Sequence, residues 1–113
     1  QNRQLAQPAV LDNFVTSGLQ EDHLSMGTNA ALKLLQALEN CTQILAIEYL
    51  LAAQAFEFLK AQRFGAGTDR AWRLLRERVP AYDQDRWLAP DIAAAASVLK
   101  QPNLLHQVVP DHR

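Results

Sequence analysis

From Ala30 to Lys60 the chain contains neither glycine nor proline. Strong helix formers dominate that run, so the sequence predicts a helix of thirty or more residues, roughly 45–50 Å long at ~1.5 Å per residue. The long-helix segment is placed at residues 20–62. Lys33, Gln36, Asn40 and Gln43 follow helical spacing and mark one wet stripe, opposite Leu34, Leu35, Leu38, Cys41 and Leu45. From Ile44 to Ala53, "ILAIEYLLAA", only Glu48 interrupts the apolar run, which predicts a helix wrapped on nearly all sides. In such surroundings Glu48 needs a partner or a proton. Glu48 and Glu57 argue against a membrane span, which requires about twenty uncharged residues. A chain of 113 residues has too few other helices to cover so much apolar surface, so a homo-oligomeric partner is expected.

The remaining segments complete an all-α fold class, one long core helix plus shorter helices. Residues 1–19 read as an approach loop, since Pro8, Asn13, Ser17 and Gly18 interrupt any periodicity. Ser17 and Gln20 have the spacing of a capping box and suggest a helix start near Gly18, with Thr28 as a second possible start. "RFGAGT", residues 63–68, is a turn in which Gly65 or Gly67 suits the left-handed position that closes a helix. Thr68 then opens a helix over 68–79, in which Asp69 pairs with Arg73, Trp72, Leu75 and Val79 share a face, and Pro80 is the stop. Pro90 takes the first position of another helix, 90–100, closed by Pro102. No strand pattern or repeat is present.

Composition excludes several classes. Eleven basic against twelve acidic side chains leave a net charge of −1, which gives no field for nucleic acid or anionic lipid. The single Cys41 has no internal disulfide partner, and its apolar helical setting predicts a buried thiol in a reducing, cytoplasmic compartment. His23, His106 and His112 lack the spacing of a zinc site, so no metal is expected. "GAGT" is not followed by the lysine of a phosphate loop. Arg70, Arg73, Arg76 and Arg78 read as a solvated face or a subunit contact. The chain opens on Gln1 rather than methionine, which suggests a fragment or a processed chain.

Against this background "QEDHLSMG", residues 20–27, crowds two carboxylates, an imidazole, a carboxamide and a hydroxyl together. On a helix, Gln20, Glu21, Asp22 and His23 point in four directions about 100° apart, so they cannot all face one ligand. Glu21 shares a face with Ser25, and Asp22 with Met26. One reading is of first-turn acids favoured by the helix dipole. The other is of a buried carboxylate whose raised pKa suits it to acid–base work or to binding a cation.

The stretch "TSGLQEDHLSMGTNAA" closely resembles the Q-E-D-H-x-S-M segment of the aromatic amino acid lyase family, in particular its histidine ammonia-lyase branch. "LENCTQILAIEYLLAAQAFEF" resembles that family's long core helix, and "RERVPAYDQDRWLAPDI" its R-x-x-V-P…D-R…P-D-I ending. The resemblance runs in the family's order over residues 8–99. It implies the C-terminal part of a helical-bundle lyase.

The implied activity is elimination of ammonia from an aromatic amino acid, most of all L-histidine to urocanate. The implied cofactor is an electrophilic methylidene-imidazolone formed autocatalytically from an Ala-Ser-Gly triad, which this chain lacks. By position in the motif, Glu21 is the family's active-site glutamate, Gln20 its hydrogen-bonding neighbour, and Asp22, His23, Ser25 and Met26 brace the block. The implied partners are the remainder of the parent chain, further copies in a homotetramer, and a small amino acid substrate. Ser17-Gly18-Leu19-Gln20 stands where many histidine-specific members read S-A-N-Q, which keeps a tyrosine ammonia-lyase or an aromatic aminomutase in view. A stand-alone helical oligomerisation module without catalysis is the alternative of a different class.

Overall fold

The computed structural model describes residues 1–12, 14–20, 24–59 and 64–109. Among these, every regular element is helical and no β-strand is present. The helices are α1 (Asn2–Leu5), α2 (Gly27–Phe58), α3 (Ala66–Arg76), α4 (Ala89–Leu99) and α5 (Leu104–Val108), with short 3-10 turns at Ala9–Asp12 and Ser17–Leu19. The chain divides into two compact units, Gln1–Cys41 and Thr42–Arg113, and the division falls inside α2.

Thirty-two residues long, α2 spans about 48 Å at ~1.5 Å per residue. Its bounds are narrower than the 20–62 expected. Leu24–Met26 are not helical, and Met26 has φ +51°, so the chain enters the helix through a left-handed residue whose carbonyl accepts the Ala30 N–H at 3.0 Å. At the other end Leu59 has left the helix, its N–H donating to the Phe56 carbonyl at 3.2 Å in a tightened last turn.

In the first unit the approach segment is not a plain loop but a series of helical turns tied to α2. Lys33 Nζ donates to the Gln7 carbonyl at 2.8 Å, and Asn40 Nδ2 to Asn2 Oδ1 at 2.7 Å. These two members of the predicted wet stripe therefore hold the N-terminal turns. Cys41, expected to be buried, is exposed, as are Leu34, Leu35, Leu38 and Leu45 of the stripe it was grouped with. Periodicity identified an apolar face, and this chain leaves that face open.

The second unit contains the core. Ala46, Leu50 and Ala53 of α2 meet Leu75 of α3, Val79, and Ala95 and Ala96 of α4, with Tyr49, Trp72 and Ile92 packed around them. Small residues at 46, 53, 95 and 96 permit this close approach, and Leu75, Val79 and Val98 are the largest side chains wholly withdrawn from solvent. One side of "ILAIEYLLAA" is covered, whereas Ile44, Leu45, Ile47 and Leu51 are exposed, and so is Glu48. Water thus solvates Glu48 here, which removes the need for a buried partner.

The connections depart from expectation at the glycines. Gly65 has φ −58° and caps α3, its carbonyl accepting the Asp69 N–H at 2.9 Å, while Gly67 lies within the helix. The helix therefore begins at Ala66, ahead of Thr68. Its Asp69–Arg73 pair closes at 2.8 Å on the surface. Pro90 stands in the first turn of α4. Arg86 Nε donates to Asp91 Oδ2 at 2.9 Å, and the guanidinium also lies 5.0 Å from the Tyr82 ring centroid. An acid in the first turn of α4 is thus stabilised both by the helix dipole and by an arginine five residues earlier.

Candidate functional site

The Gln20–Met26 block follows an unusual piece of backbone. Ser17, Gly18 and Leu19 have φ of +53°, +63° and +74°, three successive residues in the left-handed region. Only glycine adopts it freely, and each L-residue with a Cβ pays roughly 1–2 kcal/mol there. The predicted capping box is therefore not formed. Instead the Gln20 N–H donates to the Ser17 carbonyl at 3.3 Å, and Gln20 follows at φ −90°, ψ −22°. Thr16, at the head of the turn, makes no side-chain capping bond.

Glu21, Asp22 and His23 lie outside the described residues. Of the other expected site residues, Gln20 is exposed at the close of the turn. Ser25 Oγ accepts the Gly27 N–H at 3.4 Å, and Met26 supplies the left-handed entry to α2. An open recess of about 460 Å³ is lined by residues 24–29. A second concavity in the same unit, about 470 Å³, is lined by Asn2, Gln7, Lys33 and apolar neighbours and includes none of the expected site residues.

A different polar cluster, in the second unit, was not anticipated. Gln54 is buried, and its carboxamide holds both backbone groups of Tyr82: Nε2 donates to the carbonyl at 2.6 Å, and Oε1 accepts the N–H at 3.4 Å. Oε1 also accepts from Arg76 at 3.3 Å. Arg76 donates from Nε to Glu57 Oε1 at 2.9 Å and to the Val79 carbonyl at 3.2 Å, and Trp72 Nε1 donates to the same Glu57 oxygen at 3.2 Å. Arg76, read from sequence as part of a solvated arginine face, is 11% exposed, against 69% for Arg73. The signal lay in the sequence: Gln54 and Glu57 are three apart and share a helical face. The cluster clamps α2 to the segment after α3.

Tyr49 packs against the core of the second unit. Its hydroxyl donates to the Ala71 carbonyl, and burial pushes its pKa above the ordinary tyrosine value. It lines an apolar recess of about 300 Å³ with Phe56, Ala71, Trp72 and Val108. Among the described residues no three His, Cys, Asp or Glu side chains come together as a metal site, and no helix is long and apolar enough to cross a membrane.

Comparison with known proteins places this geometry. The family model for aromatic amino acid lyases matches residues 1–77. The chain is 42% identical over 108 residues to the histidine ammonia-lyase of Natranaerobius thermophilus and 46% identical over 111 residues to that of Aliivibrio fischeri. These alignments cover 96% and 98% of this chain but 21% and 22% of the relatives, so it spans about a fifth of their length. Among solved structures it is similar to histidine ammonia-lyase from Trypanosoma cruzi, with TM-score 0.87 and 33% identity over 96% of this chain and 22% of that one. It is also similar to the ergothioneine-degrading ergothionase of Treponema denticola, with TM-score 0.85 and 38% identity over 93% of this chain and 21% of that one. With a family model over more than half of its residues and the same helical backbone in two solved relatives, the chain belongs to the aromatic amino acid lyase family.

Proposed function

We propose that this chain is the C-terminal helical segment of an ammonia-lyase that converts L-histidine to urocanate and ammonia. The observation that carries this reading is the unbroken block Gln20-Glu21-Asp22-His23, followed by Ser25 and Met26, in a chain 42–46% identical to the two histidine ammonia-lyases above over nearly all of its length.

In this reading Glu21 is the group that meets the substrate. A carboxylate attracts the α-ammonium or accepts a hydrogen bond from an imidazole N–H, and either contact orients the amino acid before its C–N bond breaks. Gln20 holds that carboxylate by hydrogen bonding, and Asp22, His23, Ser25 and Met26 brace the turn into α2. The residues present here do not fit the methylidene-imidazolone electrophile: the one Ser-Gly pair, Ser17-Gly18, follows Thr16 rather than alanine and forms a left-handed turn. That group belongs to the remainder of the parent chain, and the 113 residues by themselves are inactive.

The exposed leucines of α2, Leu34 and Leu38 in the first unit and Leu45 in the second, are side chains on which other helices of the parent chain and of further copies pack, in a homotetramer. A reducing cytoplasm suits the exposed, single Cys41.

The test is Glu21→Gln in the complete enzyme. Turnover of histidine, followed by the ultraviolet absorbance of urocanate, falls while helix content and assembly stay as they are. Unchanged kinetics would overturn the role of Glu21. A second reading, breakdown of ergothioneine, is carried by the 38% identity to ergothionase. Assaying histidine, tyrosine, phenylalanine and ergothioneine side by side on the complete chain separates these substrates.

A further inference from the structure

The segment between α3 and α4 presents Trp87, the most exposed large apolar side chain of the second unit among the described residues, at 80% of its surface. Tryptophan is seldom left so open. The other tryptophan, Trp72, packs against the core and donates Nε1 to Glu57 at 3.2 Å, whereas the Trp87 indole N–H has no acceptor among the described residues.

The backbone that carries Trp87 is nonetheless held on both sides. Before it, the Gln54 carboxamide binds both backbone groups of Tyr82, at 2.6 and 3.4 Å. Its neighbour Arg86 donates from Nε to Asp91 at 2.9 Å and from Nη2 to the Pro80 carbonyl at 3.0 Å, with the guanidinium 5.0 Å from the Tyr82 ring centroid. After it, Leu88 caps α4, its carbonyl accepting the Ile92 N–H at 2.9 Å. An aromatic side chain on fixed backbone loses little conformational freedom when a partner buries it, and tryptophan is prominent among the residues that concentrate binding energy in interfaces.

We propose that Trp87 is an interface anchor whose partner is the part of the parent lyase that lies outside this chain. The alignments that take in 96% and 98% of this chain take in 21% and 22% of the two histidine ammonia-lyases, so about four fifths of such a polypeptide is available to cover Trp87. Covalent continuity holds that body at a high effective concentration, which a separate protein does not have. The indole specifies the seat: an apolar pocket with one hydrogen-bond acceptor placed for Nε1. The inference rests on the reading of this chain as a segment of a longer lyase and does not depend on Glu21.

The experiment uses the complete lyase as wild type, Trp87→Phe and Trp87→Ala. Acrylamide quenching of tryptophan fluorescence is measured for wild type and Trp87→Phe, and the difference between them isolates Trp87. That component is expected to be blue-shifted and protected from quencher. Trp87→Ala is expected to lower Tm by a few degrees with the size of the assembly unchanged on dilution, and Trp87→Phe to keep much of the lost stability, since it retains an aromatic ring but not the N–H.

A Trp87 component as quenchable as free tryptophan would overturn the inference, and so would unfolding of Trp87→Ala at the wild-type Tm. Dissociation of the Trp87→Ala assembly into protomers that keep the wild-type Tm would also overturn it, because the seat would then belong to a second copy. If Trp87→Ala does not fold, the quenching difference between wild type and Trp87→Phe decides alone. Histidine turnover of the wild type is measured in parallel: its absence beside a protected Trp87 would remove the substrate reading and leave this inference standing, and turnover beside a fully quenchable Trp87 would do the reverse.

Discussion

The second unit and the Ser17–Leu19 turn show two opposite ways of using sequence. Around Leu75 every local choice agrees: small residues where helices approach, apolar side chains on the facing surfaces, and a buried carboxamide whose partners are all supplied by the same unit. Around Gly18 the local choices conflict. Serine and leucine occupy left-handed positions, and apolar Leu19, Phe14 and Val15 are exposed. The first region can be understood from its own contacts. The second is not accounted for by its own contacts among the described residues. In one family member, stability is concentrated where the helices pack and strain is placed beside the residues proposed to meet substrate.

Substitutions can break that contrast in order of expected size. The largest effect is expected from Leu75→Ala, which empties a site with no solvent exposure; about 2–5 kcal/mol of local stability should disappear. Amide exchange of α3 and α4 in the complete protein would report it. A change confined to the first unit would mean that the core is wrongly drawn. Next is Arg76→Ala, which takes the guanidinium from Glu57, the Val79 carbonyl and Gln54 Oε1, leaving Glu57 with Trp72 and Gln54 with Tyr82, and should cost about 1–3 kcal/mol. Arg76→Lys should recover only part of this, because a point charge cannot reproduce three divergent N–H bonds. Equal stability of the lysine and arginine forms would reduce the clamp to simple charge attraction.

A smaller effect attaches to Tyr49→Phe, about 0.5–1.5 kcal/mol for the bond to the Ala71 carbonyl. It also carries a pH signature. Burial raises the pKa of Tyr49 above its unfolded value of 10.0, so the folded state keeps a proton that the unfolded chain has released. The contribution is fully present below pH 10 and falls as pH climbs from there through the folded value. Denaturation profiles at alkaline pH should therefore be flatter in the phenylalanine variant, and parallel profiles would contradict the burial of that hydroxyl.

The smallest effect should have the opposite sign. Leu19→Asn replaces a residue ill suited to φ +74° by one that tolerates it, and should stabilise the first unit by roughly a few tenths to 1 kcal/mol. Destabilisation measured by thermal unfolding would show that Leu19 contributes more through its side chain than it costs through its backbone. This would sharpen the comparison: gains should be available at the strained turn and only losses in the core.

Much of this protein was legible in its residues. The run without glycine or proline announced α2, Pro80, Pro90 and Pro102 bracketed the later helices, and the spacing of Asp69 and Arg73 foretold their ion pair. These are local matters, decided by propensity and by neighbours three or four residues apart. The Q-E-D-H block pointed to the family that the comparisons establish. Other features were hidden because they depend on residues distant in sequence. Arg76 and Arg73 are indistinguishable as letters on a helix, yet only one of them meets Gln54 and Glu57 from another helix. Cys41 and Glu48 were misjudged for the same reason, since periodicity marks a face but does not say what covers it.

By itself, then, the sequence determined an all-helical chain, the course of α2 and membership of a lyase family, because helix propensity and motif order are properties of the chain alone. Tertiary structure decided which side of α2 forms a core, which arginine becomes a clamp, and that Ser17–Leu19 turns left-handed instead of capping a helix. Those outcomes depend on burial and on the competition between backbone strain and surrounding contacts, and neither exists until distant residues have met.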